Sequence, residues 1–150
     1  MMRISMPSVL ALCCVFSGAA GAGRGPAAAK QIQETIAQVR SAKTVDARRE
    51  AAEHLEGLVR RMKGKDVSEP LVGSITSLLH YRDVLVRYYV VLALEDLGPA
   101  AKSAAPKLLK ILPEEDCVNG PITVGDAIRD ALSRMGIKPP PPPDCETISG

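Results

Sequence analysis

The sequence predicts an all-α fold, organised as a short α-solenoid of about three helix pairs. Apolar residues recur at helical spacing through most of residues 30–136. Single glycines and a Gly-Pro pair separate these stretches and mark helix ends. A sequence pattern also repeats with a period near 40 residues, which is typical of stacked helix pairs. A chain of 150 residues has room for one domain with a modest core.

The first 22 residues have the features of a secretory signal peptide. Arg3 provides a positive start, residues 6–20 form an apolar run, and small residues up to Ala22 suit a cleavage site. The run is short for a membrane span, and a retained N-terminal anchor is the alternative. We expect cleavage and export to the periplasm or secretion, with no transmembrane span in the mature chain.

Cys13 and Cys14 raise the question of a lipid anchor. Both lie inside the predicted signal, and a bacterial lipoprotein signal has a small residue directly before the modified cysteine. Leu12 occupies that position before Cys13, and Cys13 itself precedes Cys14. Lipidation is therefore the less favoured interpretation.

The rest of the chain divides into three parts. Residues 23–29 are mostly small and are predicted to form a flexible leader. Residues 30–136 contain the periodic apolar pattern and form the predicted repeat domain. Residues 137–150 form a Pro-rich C-terminal tail, in which a run of prolines favours the extended polyproline II conformation.

The first two predicted helices are amphipathic. Residues 30–43 carry one apolar stripe, and a second helix continues to about Met62 with Thr44 or Asp46 as its N-cap. Basic residues crowd the end of the second helix, where positive charge complements the helix dipole; a ligand-binding patch is the alternative. The residues assigned to the core are Ile32, Ile36 and Val39, followed by Ala47, Ala51, Leu55, Leu58 and Val59.

The third and fourth predicted helices form the middle of the chain. The third spans residues 68–80 and has Pro70 in its first turn, where proline is tolerated. The fourth spans residues 83–97 and ends at Gly98 and Pro99. Because it is apolar on nearly every side, it needs other helices on several faces. We expect it to lie in the middle of the stack.

Two more predicted helices complete the domain. Residues 100–112 form a helix with Pro106 near its start, and residues 113–121 form a polar loop. The last helix spans residues 122–135 and ends at Gly136.

The repeat consists of three segments that align without gaps. Matching apolar positions in successive segments are 39 and then 38 residues apart. A period of this length is typical of a unit made of two helices. The segments begin at Asp46, Asp83 and Thr123, and the matched positions are Leu55, Leu94 and Leu132, then Leu58, Leu97 and Met135.

The central unit resembles a HEAT repeat. Its D-x-x-V-R motif, from Asp83 to Arg87, precedes an Ala- and Leu-rich helix that ends in Leu-Gly-Pro. The resemblance is clearest over residues 66–112, moderate over residues 43–62 and weaker over residues 122–136.

The resemblance also implies structural roles for charged residues. Asp83 and Arg87 match the pair that links neighbouring HEAT repeats. Asp46, with Arg48 or Arg49, matches the same role one repeat earlier. In the third unit Gly125 stands at the position of Arg87, so this unit is expected to lack the link, as a terminal repeat can.

Cys117 and Cys145 are the two cysteines outside the predicted signal. In an exported chain such a pair is expected to form a disulfide, and two free thiols are the alternative. The bond would close a loop around the last helix and the tail, which protects the end of the stack. No metal site is predicted, because only His54 and His80 could join the cysteines and neither lies at metal-ligand spacing.

The candidate binding surface lies on the fourth helix. Its predicted core residues are Val86, Val90, Ala93, Leu94 and Leu97. They leave a second stripe of Val84, Tyr88, Leu92 and Glu95, and the resemblance implies that such helices line a concave face. The matching positions one repeat earlier include Arg49, Glu53 and Glu56. Two interpretations stay open: the stripe binds a partner, or the Pro-rich tail or neighbouring helices cover it.

Other functional classes find little support in the sequence. A net charge of +2 with no large basic field disfavours nucleic-acid binding. No glycine-rich phosphate loop occurs, and neither histidine forms part of a recognisable catalytic constellation. No cofactor is predicted, and we do not expect an enzyme.

The predicted function is a non-catalytic, exported interaction or scaffolding module that binds a protein or peptide. One alternative is an accessory factor acting on a modified protein substrate, similar to the HEAT-like lyases that attach pigments to proteins. Another is a lipid-anchored structural protein of the cell envelope.

Overall fold

The computed structural model describes residues 24–62, 67–118, 120–143 and 145, with side chains from residue 27 onward. All regular secondary structure in these ranges is helical, which confirms the predicted all-α class. The predicted signal peptide, with Cys13 and Cys14, lies outside the described residues, as does the tail beyond Cys145. None of the described helices combines the length and the apolarity needed to cross a membrane.

Six α-helices make up these ranges, and two short 3₁₀ segments join some of them. The 3₁₀ segments, Ser77–His80 and Gly98–Ala104, replace parts of the third and fifth predicted helices. The α-helices are α1 (Arg24–Ser41), α2 (Val45–Met62), α3 (Glu69–Thr76), α4 (Val84–Leu97), α5 (Ala105–Asp116) and α6 (Val124–Arg134).

Helix α1 begins at Arg24, earlier than the sequence analysis predicts. Residues 24–29, predicted to belong to a flexible leader, form its first turns. The physical reason is the run from Ala27 to Ala29, because alanine has the highest intrinsic helix propensity. Small residues are also common in linkers, but at residues 24–29 the helix propensity of alanine prevails.

Helix α5 continues through Pro113 to Asp116, beyond its predicted end at residue 112. Proline lacks the N–H that would bond the carbonyl of Leu109, but Leu109 and Pro113 are both exposed, so solvent can satisfy that carbonyl. The extra turn brings Glu115 and Asp116 into the helix. Ion pairs from both side chains to other helices hold this turn in place.

The helices pack in two rows. In one row α4 lies between α2 and α6, and we call these three helices the inner row. The outer row consists of α1, α3 and α5, which pack on α2, α4 and α6 respectively. No residue of α4 is fully exposed, in agreement with a helix that is apolar on nearly every side.

The three helices of the inner row run parallel. Arg49 near the start of α2 contacts Asp83 at the start of α4, and Arg60 near the end of α2 contacts Asp96 near the end of α4. Glu95 near the end of α4 contacts Arg134 at the end of α6 in the same way.

One continuous hydrophobic core lies between the rows. It extends from Ile36 on α1 to Ile128 on α6, so every α-helix contributes to it. The five α4 residues assigned to the core from the sequence are all buried, together with Val91. They are Val86, Val90, Ala93, Leu94 and Leu97.

The predicted disulfide between Cys117 and Cys145 is present, with the two Cα atoms 5.4 Å apart. It joins the end of α5 to the Pro-rich tail. Between α6 and Cys145, residues 137–143 have no regular secondary structure, and Arg129 of α6 donates a hydrogen bond to the carbonyl of Pro140. The disulfide and this bond tether the tail to the last helix pair.

Candidate interaction surface

Helix α4 carries a strip of large apolar and aromatic side chains on the side that points away from the core. We call this strip the α4 face. All its residues are half-buried, and most pack partly against the core. The α4 face consists of Val84, Leu85, Tyr88, Tyr89 and Leu92.

Two tyrosines form the aromatic centre of the α4 face. The rings of Tyr88 and Tyr89 meet edge to face, with centroids 5.9 Å apart. Partial burial raises the pKa of the Tyr89 hydroxyl, and the nearby carboxylate of Glu53 on α2 raises it further. The raised pKa keeps the Tyr89 phenol a neutral hydrogen-bond donor at the edge of an apolar strip.

Helix α2 provides a charged flank on one side of the α4 face. Glu53 is exposed there, and Glu56 is almost fully buried against its ion-pair partner Arg60. Burial raises the pKa of Glu56, although Arg60 opposes this effect. Arg60 also lies 3.5 Å from Asp96 of α4, so one arginine serves two carboxylates.

Helix α6 provides a similar flank on the other side. Glu95 of α4 lies 2.9 Å from Arg134, and its side chain is only 15% exposed. Burial raises the pKa of Glu95; Arg134 opposes this, and the carboxylates of Asp130 and Asp96 add to it. Asp130 is exposed on α6. The two flanks of the α4 face are thus mixed in charge, and each contains one more carboxylate than arginine.

The structure separates the residues predicted for the binding surface. Val84, Tyr88 and Leu92 lie together on the α4 face. Glu53 is exposed beside it, but Glu95 and Arg49 are engaged in ion pairs with neighbouring helices.

Leu85, Tyr89 and the α6 flank were missing from the prediction. The predicted stripe follows a spacing of four residues, from Val84 to Leu92. Leu85 lies three residues before Tyr88, and this spacing also shares a helix face. A search for both spacings would have found Leu85. The sequence does not show that Asp130 lies beside the α4 face, because tertiary packing decides that α6 is the neighbour of α4.

Asp83 lies at the junction of α2 and α4. Its carboxylate caps α4 by accepting hydrogen bonds from the backbone N–H groups of Leu85 and Val86, both at 3.1 Å. It also accepts a bidentate pair from Arg49, with the closest atoms 2.7 Å apart. Arg49, together with the capping bonds, lowers the pKa of Asp83.

Asp46 does not contact a neighbouring helix among the described residues. It lies 3.7 Å from Arg49 of its own helix and is 94% exposed. The reason is that Arg49 points toward Asp83, which leaves Asp46 on the solvent side. The role of Asp46 as an inter-repeat link is therefore corrected to a weak contact within α2.

Two more arginine–carboxylate pairs hold α5 against the inner row. Arg87 of α4 lies 2.7 Å from Glu115, and Arg129 of α6 forms a bidentate pair with Asp116. Both pairs are largely shielded from solvent. The Arg129 pair joins α6 to α5, the two helices of the third unit, so it does not replace the link to a neighbouring repeat that this unit is expected to lack. A side chain at position 125 would not fit, because a Cβ there would lie 2.7 Å from Asp116 Oδ1.

The two histidines lie at shallow grooves away from the α4 face. Nδ1 of His80 lies 2.6 Å from the backbone carbonyl of Ser77, and His54 is exposed on α2. The Ser77 hydroxyl donates to the carbonyl of Ser74, so it is not activated by His80. Within the described ranges, no group of three His, Cys, Asp or Glu side chains is placed to hold a metal ion.

The described part of the tail does not cover the α4 face. Arg129 and Arg134 are five residues apart and point about 140° away from each other around α6. Arg134 contacts α4, whereas Arg129 holds Pro140. Pro140 is therefore held on a side of α6 different from the side that contacts α4. The contact of Pro140 with Arg129 gives no support to a tail that covers Tyr88 and Leu92. No protein-family model, curated protein or solved structure matches the chain.

Proposed function

We propose that this protein is a non-catalytic binding module whose α4 face binds a protein or peptide. One observation carries the proposal: the strip of five large apolar and aromatic side chains is half-buried and lies between two charged flanks. Contiguous apolar surface with a polar rim is characteristic of interaction sites, and tyrosine is enriched in them.

The proposal includes a fold of the HEAT type. The pairs α1 with α2, α3 with α4 and α5 with α6 would form three units of a short α-solenoid. The parallel inner row supports this arrangement, and so do the arginine contacts of Asp83 and Glu115, which join one pair to the next. In such a stack the inner row lines the concave face, which places the α4 face at its centre.

The proposed location is an oxidising compartment reached through the signal peptide. The disulfide between Cys117 and Cys145 supports this, because such bonds persist in secreted and periplasmic proteins and are rare in the cytosol. A surface that binds an exported partner would meet that partner in the same compartment.

A peptide-display selection on the folded protein tests the function. Peptides from a random library are selected on the wild-type protein, and their affinities are compared between wild type and the double variant Tyr88→Asp with Leu92→Asp. The variant buries charge in the strip, so we expect binding to weaken at least about 30-fold, the size of a lost hot spot. Leu109→Asp is the matched control, because Leu109 is an exposed leucine on the outer row.

The proposal fails if the selected peptides bind the double variant as tightly as wild type, or if Leu109→Asp weakens them equally. It also fails if no peptide is selected. Circular dichroism and thermal unfolding of each variant establish that binding is compared between folded proteins.

A further inference from the structure

We infer that the α4 face binds a cationic segment of another protein, with an apolar residue between basic ones. The inference rests on the proposed function and names the chemistry of its partner. The apolar strip is the site, and the charges on its two sides specify what can occupy it.

Carboxylates outnumber guanidinium groups along the flanks of the α4 face. Among the described residues three arginines lie there, and each is already engaged by a carboxylate. The arginines are Arg49, Arg60 and Arg134, and the acidic side chains are Glu53, Glu56 and Asp96 on the α2 side, and Glu95 and Asp130 on the α6 side.

Two of these carboxylates are available to a partner. Glu53 and Asp130 are exposed and form no ion pair with any other residue that the structure describes. Glu53 flanks the strip from α2, and Asp130 flanks it from α6. A cation placed on either side of Tyr88 would therefore find a free carboxylate beside the apolar strip.

The outer row, on the opposite side of the protein, has an excess of exposed positive charge. Exposed basic residues outnumber exposed acidic ones on the outer row and its 3₁₀ segments. The acidic excess is local to the flanks of the α4 face, because α2, α4 and α6 as a whole carry eight acidic and seven basic side chains. The basic residues are Lys30, Arg40, Lys102, Lys107 and Lys110, and the acidic ones are Glu34, Glu69 and Glu114.

The spacing of the flanks sets the length of the segment. Packed helices lie 8–10 Å apart, so α2 and α6 are separated by about 18 Å across α4. An extended peptide advances about 3.3 Å per residue and crosses this distance in five or six residues. Because lysine and arginine side chains are long, basic residues about four to six positions apart would reach both flanks. The residue between them lies over Tyr88.

Exposed charges at the rim of an interface mainly change the association rate and the salt dependence of binding. The carboxylates and the apolar strip can therefore be tested separately. Glu53→Gln with Asp130→Asn removes two charges and leaves shape nearly unchanged. Lys102→Gln with Lys110→Gln is the matched control, because it removes two exposed charges from the outer row.

The probes are the peptides selected by display on the wild-type protein, measured at about 0.05 M and 0.5 M salt. We expect the selected peptides to be enriched in Lys and Arg at spacings of four to six residues. Glu53→Gln with Asp130→Asn should weaken them about five- to tenfold at low salt and flatten the salt dependence. The Lys102 and Lys110 variant should bind as wild type does.

Three outcomes overturn the inference. If the peptides require Tyr88 and Leu92 but carry no excess of basic residues and are unaffected by Glu53→Gln with Asp130→Asn, the partner is not cationic and the proposed function stands. If the peptides do not require Tyr88 and Leu92, both proposals fail. If sedimentation shows self-association that either charge variant abolishes, the occupant is the basic side of a second copy.

Discussion

At the residue scale, Asp83 combines two functions that can be separated by substitution. It caps α4 and it pairs with Arg49 of α2. Asparagine is an equally good N-cap but is uncharged, so Asp83→Asn removes the ion pair and keeps the cap. Asp83→Ala removes both. We expect the free energy of unfolding to fall in the order wild type, Asp83→Asn, Asp83→Ala, with the lost cap alone costing about 1 kcal/mol.

The pH dependence of the free energy of unfolding identifies the contribution of the ion pair between Asp83 and Arg49. The hydrogen bonds from Arg49 lower the pKa of Asp83 in the folded state, so as the pH falls the unfolded chain takes up this proton first. The stabilisation is complete above the unfolded pKa of about 4 and is lost as the pH falls through the lower folded pKa. The difference between wild type and Asp83→Asn in denaturant titrations should therefore be constant near neutrality and shrink below about pH 4. A difference independent of pH would contradict this account.

Single residues also show where sequence reasoning succeeds and where it stops. Asp83 was expected to link neighbouring helix pairs because of the resemblance to a HEAT repeat; its role as N-cap was not predicted, although a cap directly before an apolar helix is a local feature. The pairing of Asp116 with Arg129 could not be found, because Pro113 indicated the end of α5 and placed Asp116 in a loop. Proline near a helix end is compatible with one more turn when its neighbours are exposed, and exposure depends on the tertiary structure.

At the element scale, the tail is the feature with the clearest energetic consequence. The disulfide joins positions that are 28 residues apart and closes a loop containing α6. In the chain-entropy model a loop of this length contributes about 3.6 kcal/mol to the stability of the fold. Replacing both Cys117 and Cys145 with serine should lower the free energy of unfolding by about this amount. Denaturant titration measures it.

Reduction provides the control for this prediction. Wild type treated with a reductant should unfold at the same denaturant concentration as the serine variant, and the variant should not respond to the reductant. Peptides selected on the α4 face should bind both forms equally, because Arg129 holds Pro140 on a side of α6 that does not contact α4. Tighter binding after reduction would mean that the tail covers the α4 face.

The existence and order of the helices follow from local patterns, but some of their boundaries do not. Asp83 and Gly98 mark both ends of α4 as predicted, since a cap and a left-handed glycine act locally. By contrast, residues 98–104 form a 3₁₀ segment instead of an α-helix. Buried Ala101 and Ala104 pack this segment against the fold, and that contact is invisible in the sequence.

At the scale of the whole molecule, the distribution of charge is the property that composition conceals. Glu53 on α2 and Asp130 on α6 are far apart in the sequence, and only the parallel inner row places them on either side of the α4 face. The apolar α4 helix was predictable as the centre of the stack, because it needs cover on several sides. The partner surface around it was only half predictable, since it depends on which helices provide that cover.

The continuous core makes a final prediction about cooperativity. Ile36 on α1 and Ile128 on α6 lie at opposite ends of the molecule, and both are fully buried in the same core. A helix pair cannot bury its apolar face alone, so the ends should unfold together with α4. Ile36→Val and Ile128→Val each remove one buried methyl group and should cost about 1 kcal/mol. For each variant, hydrogen exchange of the slowest amides should accelerate about fivefold in both α1 and α6. Acceleration only in the helix that carries the substitution would show that the two ends open independently.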